Sequence, residues 1–273
     1  MERFEQLKTT EPVSWNIMKS DGSISEKIEE IIVEHFIEVS VNGVRAFTLS
    51  CTPEHLRELI VGRLCTERII KNAEDIERLF ICGEGNIGEV ILKENVEFKL
   101  YSGSDPTCCT GNIQFINGTR GLTALSEVEI DSETIFELAE KFSEDGKLHK
   151  STNGTHSCYI RFGDGRIDSF EDISRHNALD KAVGHLLLEK EDITNSIIYT
   201  TGRVAADMVE KTIAAGIPVL VSKSVPTTKA IELAKKYGLK LICKAWPDSY
   251  ITFPVSEDRV HVCDSRYERI PNG

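Results

Sequence analysis

The chain has no apolar run near the ~18 residues that a membrane-spanning helix needs. Its opening, MERFEQLKTTEPVSW, lacks the apolar core of a secretory leader. The expected location is the cytoplasm, away from membranes. Cations are also scarce: 32 Lys and Arg face 44 Asp and Glu, a net charge of −12. Nucleic acids and anionic lipids are bound by clustered cations, so neither is an expected partner. That balance still leaves room for a local basic pocket around one phosphorylated ligand. Eight cysteines stand at 51, 65, 82, 108, 109, 158, 243 and 263, yet no Cys-x-x-Cys pair occurs. His-x-Glu and His-Glu-x-x-His are missing too. Zinc thereby loses its usual ligand spacings, and no metal is expected. There is no Gly-x-x-x-x-Gly-Lys-Ser/Thr phosphate loop, and CGEGNIGE at 82–89 is read as a Gly-rich turn. Internal repeats and low-complexity stretches are absent.

What is present suits a folded globular chain of one large or two modest domains: 273 residues, 40% hydrophobic and 28% charged. EEIIVEHFIEVSVNGVRAFTLSCT alternates apolar and polar residues around Asn42-Gly43, a hairpin signal. In TPEHLRELIVGRLCTERII, Thr52 is a candidate cap and Pro53 a first helical residue, which predicts a helix over 53–66. IGEVILKENVEFKLYSG reads as two further strands. Residues 1–103 are thus expected to form a small α+β unit. Beyond it come an amphipathic helix in DSETIFELAEKFSED, a hairpin turning at Gly163-Asp164-Gly165, and a helix in RHNALDKAVGHLLLEK. Strands and helices then alternate from SIIYTTGR to LKLICKA, which predicts a mostly parallel sheet with covered faces. Cys65, Cys82 and Cys158 are expected as buried small apolar residues in a reducing compartment.

Ligands of such sheets gather at the carboxyl ends of the strands. Here those ends carry Thr200-Thr201-Gly202-Arg203, Ser222-Lys223-Ser224 and Lys244-Ala245-Trp246-Pro247. Arg203, Lys223 and Lys244 could converge on a phosphate, helped by helix N-termini at Val204 and Thr227. They could equally hang over the surface. EDISRHNALDK places Arg175-His176-Asn177 at a helix start with Asp180 and Lys181 one turn on. That density suits an anion or acid-base site. It also suits a capped helix with a solvated first turn, for which Glu171, Asp172 and Asn177 are ordinary residues. His156 is open between base, ligand and hydrogen-bonding residue. SDPTCCTGN at 104–112 sets two thiols side by side. Adjacent side chains diverge, which strains joint binding of one metal, and a vicinal disulfide strains the peptide. One exposed, reactive cysteine is the remaining chemistry.

These stretches resemble the FdhD (NarQ) family, the formate dehydrogenase accessory sulfurtransferases. The resemblance rests on EDISRHNALDKAVG (171–184), on TGRVAADMVEKTIAAGIPVLVSKSVPTTKAIELAKKYGLKL (201–241), on STNGTHSC, and on VNG with TPEHLRELIVGRLCTERII. It covers roughly residues 11–250. It implies an α/β fold: a cytidine-deaminase-like three-layer domain over 104–273, without that fold's zinc, behind the smaller domain over 1–103. It implies a sulfurtransferase that takes persulfide sulfur from a cysteine desulfurase. The acceptor would be the molybdenum or tungsten bis(molybdopterin guanine dinucleotide) cofactor that formate dehydrogenase needs. A homodimer is implied as well. Matching Thr107 to the family's Ser or Thr puts the sulfur on Cys109, while the other register puts it on Cys108. A Cys-x-x-Cys pair, common in that loop, is missing. The family's pterin-binding segment falls on Lys244, Ala245, Trp246, Pro247, Asp248 and Ser249, with Arg175, His176, Arg203 and Lys223 as further cofactor-binding candidates. The alternatives are a cofactor-binding chaperone that moves no sulfur and a thiol switch using Cys108 and Cys109.

Overall fold

The structure is a computed structural model and describes residues 7–96, 121–144 and 146–253. Cys108, Cys109 and the expected strand beyond Val96 lie outside the described residues. Within them the chain is a mixed α/β fold with six α-helices and three sheets.

The sheet that matters for the site has six strands in the order β12-β11-β10-β9-β7-β8. These are β7 (His156–Arg161), β8 (Ile167–Asp172), β9 (Ile197–Thr200), β10 (Val219–Ser222), β11 (Lys240–Cys243) and β12 (Ile251–Thr252). Only β9, β10 and β11 run parallel. The β7–β8 hairpin and β12 join antiparallel, so the sheet is mixed rather than mostly parallel. The reason is the connections: strands separated by a helix return parallel, whereas the short turn at 163–165 can only fold β8 back on β7. Period-two alternation then divides the core. Cys158, Ile160, Ile198, Leu220 and Leu241 face one side. Tyr159, Ile197, Tyr199, Val219, Val221 and Ile242 face the other, where Ile135, Leu138 and Ala139 of α2 (Ser132–Glu144) cover them.

The first side is covered by α4 (Arg175–Leu188), α5 (Ala206–Ala214) and α6 (Thr228–Tyr237). Against α4 lies α1 (Leu56–Thr66), at very short range. A Cβ added at Gly62 would fall 1.7 Å from the Asp180 carbonyl oxygen, and one at Gly184 would fall 1.9 Å from that of Glu58. The two glycines let the backbones touch. Behind α1 is a four-stranded sheet, β4-β3-β6-β5, made of β3 (His35–Val41), β4 (Val44–Cys51), β5 (Ile76–Ile81) and β6 (Ile87–Leu92). The expected hairpin at Asn42-Gly43 is present, both residues at positive φ (51° and 77°). Gly83, Gly85 and Gly88 spell Gly-x-Gly-x-x-Gly, but they lie in and beside the turn between antiparallel β5 and β6. A phosphate loop needs a strand, a turn and then a helix, so the reading as a turn holds.

The sequence reading differs from the structure at several points. Helix α1 starts at Leu56, after left-handed His55, and Thr52 is fully buried instead of capping it. Strand β5 was not expected. Nor was an N-terminal hairpin of β1 (Thr10–Met18) and β2 (Ile24–Ile32), which leaves Trp15 and Met18 41% and 70% exposed. Cys65 and Cys158 are buried as expected, but Cys82 is half-buried, its thiol donating to Asn86 Oδ1 at 2.9 Å.

Candidate functional site

The carboxyl ends of β9, β10 and β11 and the amino end of antiparallel β7 meet at one edge of the six-stranded sheet. A cleft of about 700 Å³ opens there. One wall comes from the strand ends and the residues after them: Thr201, Lys223, Ser224 and Trp246, with Phe142 of α2 behind. The rest of the lining is the segment from α3 (Lys147–Thr152) into β7: His149, Lys150, Asn153, Gly154, Thr155, His156 and Ser157.

Local structure fixes these groups. The Lys223 amide donates to Thr200 O at 3.1 Å, which turns the chain out of β10. Its ammonium lies 4.8 Å from the Trp246 ring centre and 5.4 Å from that of Phe142, a cation between two aromatic rings. Trp246 is 44% exposed and heads a tight turn closed by Trp246 N to Ser249 O at 2.8 Å. Where β9 and β7 adjoin, Thr201 Oγ1 accepts from the Ser157 amide at 3.1 Å and lies 3.4 Å from His156 Nδ1. Burial foremost, and then the positive charges of Arg175, His149 and His176, lower the pKa of His156 from its ordinary 6.5. His156 is therefore neutral at pH 7. His149 Nδ1 is 2.7 Å from Thr155 O. The cleft thus offers two ammonium groups, two imidazoles, several hydroxyls and one indole face. Such a set suits a phosphorylated ligand with a flat ring.

Of the sequence candidates, the structure brings Lys223, Trp246 and His156 into this cleft. Arg203 and Lys244 are exposed and outside its lining, so the three cations do not converge. Ala245 is buried and its carbonyl accepts from Tyr199 Oη at 2.7 Å, while Pro247, Asp248 and Ser249 form the turn beyond Trp246. Arg175 lies across Gly202, with Asp207 3.9 Å away. His176 is buried, 2.7 Å from Asp207 Oδ2. Burial acts to raise the Asp207 pKa, but the hydrogen bond and charge of His176, the Met208 amide and Arg175 outweigh it and hold it at about 2. Thr201 and Ser224, at the strand ends that the sequence also singles out, line it too, whereas His149 and Lys150 are not singled out by sequence. The signal available for these two is HKSTNGTHS, a polar, His-bearing stretch that no amphipathic period requires.

The Asp180 and Lys181 turn is neither an anion site nor a solvated first turn. Lys181 and Asp172 are fully buried, 2.7 Å apart, and the Lys181 ammonium also donates to Thr52 Oγ1 at 2.7 Å. Asp172 further accepts from the amides of Thr52 and Ser174 and from Asn177 Nδ2. Asp180 accepts from Lys211 and Thr66 at 2.9 and 2.7 Å. These ion pairs tie α4 to α1, β8 and α5. Desolvation pushes the buried thiols of Cys51, Cys65 and Cys243 up to about 12 and Cys158 higher still, which keeps them protonated.

No group of three or more His, Cys, Asp or Glu side chains could hold a metal ion among the described residues, and no helix there is long and apolar enough to cross a membrane. Residues 32–260 match the model of the FdhD/NarQ family. The chain is 32% identical over 233 residues to the sulfur carrier protein FdhD of Thermoplasma acidophilum, covering 80% of this chain and 82% of that protein. Against the protein of the same name from Bacillus pumilus it is 29% identical over 231 residues, 81% of this chain and 87% of that one. Its fold matches the crystal structure of a candidate formate dehydrogenase accessory protein from Desulfotalea psychrophila, with a TM-score of 0.73 at 24% identity, over 90% of this chain and 97% of that one.

Proposed function

Because the chain belongs to the FdhD/NarQ family, we propose that it is a sulfur carrier serving formate dehydrogenase: its relatives are named sulfur carrier proteins, and the solved structure it matches is described as a formate dehydrogenase accessory protein. In the finer reading, the thiolate of Cys109 attacks the outer sulfur of a persulfide on a cysteine desulfurase. A new S–S bond forms on Cys109, the donor leaves as a thiolate, and no net oxidation occurs. Cys108 is the second choice, and both lie outside the described residues. The acceptor is the bis(molybdopterin guanine dinucleotide) cofactor of molybdenum or tungsten, bound as substrate. The larger unit is cytidine-deaminase-like, the smaller ends near residue 103, and the protein works as a cytoplasmic homodimer.

The observation that carries the acceptor assignment is the composition of the cleft. Lys150 and Lys223 match phosphate charge, and the exposed Trp246 face matches a guanine or pterin ring. Pro247, Asp248 and Ser249 follow in the turn that Trp246 opens, outside the cleft lining.

The test has two arms. The protein is incubated with a cysteine desulfurase and cysteine, and the 104–112 peptide is weighed for an added sulfur atom. Separately, GDP binding is measured by calorimetry. Sulfur on that peptide, lost in Cys109→Ser, supports the carrier reading, and loss only in Cys108→Ser moves the role to Cys108. GDP binding without any sulfur loading would make the protein a cofactor chaperone instead.

A further inference from the structure

The geometry points to Glu171 as the positioning residue of the cleft: its carboxylate holds the wall that carries His149, Lys150, Thr155 and His156, while its backbone is pinned to the buried Lys181–Asp172 pair. The inference rests on the reading of the cleft as a ligand site.

Glu171 Oε2 accepts from the Leu148 amide at 2.9 Å. Oε1 accepts from the His149 amide at 2.8 Å and from Thr155 Oγ1 at 3.1 Å, with Ser157 Oγ at 3.4 Å. All four partners are donors, and they span the cleft wall from the first turn of α3 to the start of β7. Helix α3 has only six residues, too few to hold itself together in water. Two of its first-turn amides, those of Leu148 and His149, are satisfied by this one carboxylate. Thr155 and Ser157 are buried, so their hydroxyls need a partner there.

The anchor lies on the other side of the same strand. Successive strand residues point to opposite faces. Glu171 therefore faces the cleft wall while Phe170 and Asp172 face the core. The carbonyl of Glu171 accepts from Lys181 Nζ at 3.0 Å and from Thr52 Oγ1 at 3.1 Å. The backbone beneath the carboxylate is thus fixed from the interior, and a brace runs from the α4 core to the wall. Glu171 touches none of the cleft volume itself. It acts through His149, Thr155 and Ser157. A carboxylate accepts at four lone-pair sites, whereas an amide in its place would set an NH₂ against donors. The arrangement therefore requires the acid.

The test uses the full chain with Glu171→Gln, Glu171→Ala and Glu171→Asp. Hydrogen exchange is followed at the Leu148 and His149 amides in the free protein, GDP affinity by calorimetry, and folding by thermal melting. The expected result for the Gln and Ala variants is exchange faster by roughly tenfold or more at those two amides and a GDP dissociation constant raised by roughly tenfold or more. Core amides of β9 and β10 keep their protection, and Glu171→Asp recovers part of both effects. Wild-type protection of Leu148 and His149 in Glu171→Gln overturns the positioning role. So does unchanged GDP affinity in a variant whose wall has loosened. Should the wild-type protein fail to bind GDP, the reading of the cleft falls, and the exchange measurement alone decides what Glu171 holds. Unfolding of Glu171→Ala shifts the decision to Glu171→Gln, which preserves the shape.

Discussion

At the scale of the residue, the interior of this protein is unusual for the charge it contains. Lys181 and Asp172 have no exposed side-chain surface. Taking both out of water is tolerable only because each is fully partnered. Removing one strands the other. Lys181→Met should therefore lower stability by ~3–5 kcal/mol in urea unfolding. The Lys181→Met, Asp172→Leu double variant should be less destabilised than the sum of the two singles. Asp207 gives a second prediction. Its folded pKa of about 2 lies below its ordinary 3.8, so the unfolded state binds the proton first. The stability it contributes is complete above the ordinary value and is lost as pH falls through about 2. Asp207→Asn should be less stable than wild type at neutral pH, with the difference closing as the pH of unfolding titrations is lowered through that window.

At the scale of the element, α1 and α4 depend on two residues without side chains. Gly62 and Gly184 sit where each helix meets the other's carbonyls, so a methyl group at either forces the backbones apart. Overpacking between helices costs ~3 kcal/mol or more when neither side can yield. Both faces here are backbone. Gly184→Ala should unfold well below wild type by circular dichroism, whereas alanine at exposed Gly83, which has open space around it, should leave the midpoint within a few degrees. The helix itself was legible from its spacing, but its start was not. Thr52-Pro53 reads as a cap and a first turn, and the chain instead spends Thr52 on the Asp172 and Lys181 pair, delaying the helix to Leu56. A cap bond is local, and it lost to a buried ion pair more than a hundred residues away in sequence, whose desolvation is the larger demand.

At the scale of the whole molecule, a chain of net charge −12 gathers Lys150, Lys223 and two imidazoles at one end of its sheet. Lys223→Ala should raise the GDP dissociation constant by about tenfold to a hundredfold in calorimetry. His156 adds a pH signature. Its lowered pKa keeps it neutral until the solution is more acidic than the ordinary histidine range, and protonation then adds a positive charge to the cleft. GDP affinity should rise as pH falls below the ordinary histidine value of 6.5, and His156→Gln should flatten that rise. The sequence by itself determined the strands and helices whose apolar period is local: the Asn42-Gly43 hairpin, α2, α4 and the alternation from Ile197 to Cys243. It also supplied the motifs by which the family was recognised, because those depend only on residue order. Which side chains share a cleft was decided by tertiary structure. Lys223, Trp246 and His156 meet because β7 runs antiparallel to β9 and brings its amino end to the edge where β10 and β11 finish. Arg203 and Lys244, with the same claim on paper, point elsewhere. Glu171 and Asp172 divide between wall and core for the same reason: a strand fixes which faces its residues take, and only packing decides what waits on each.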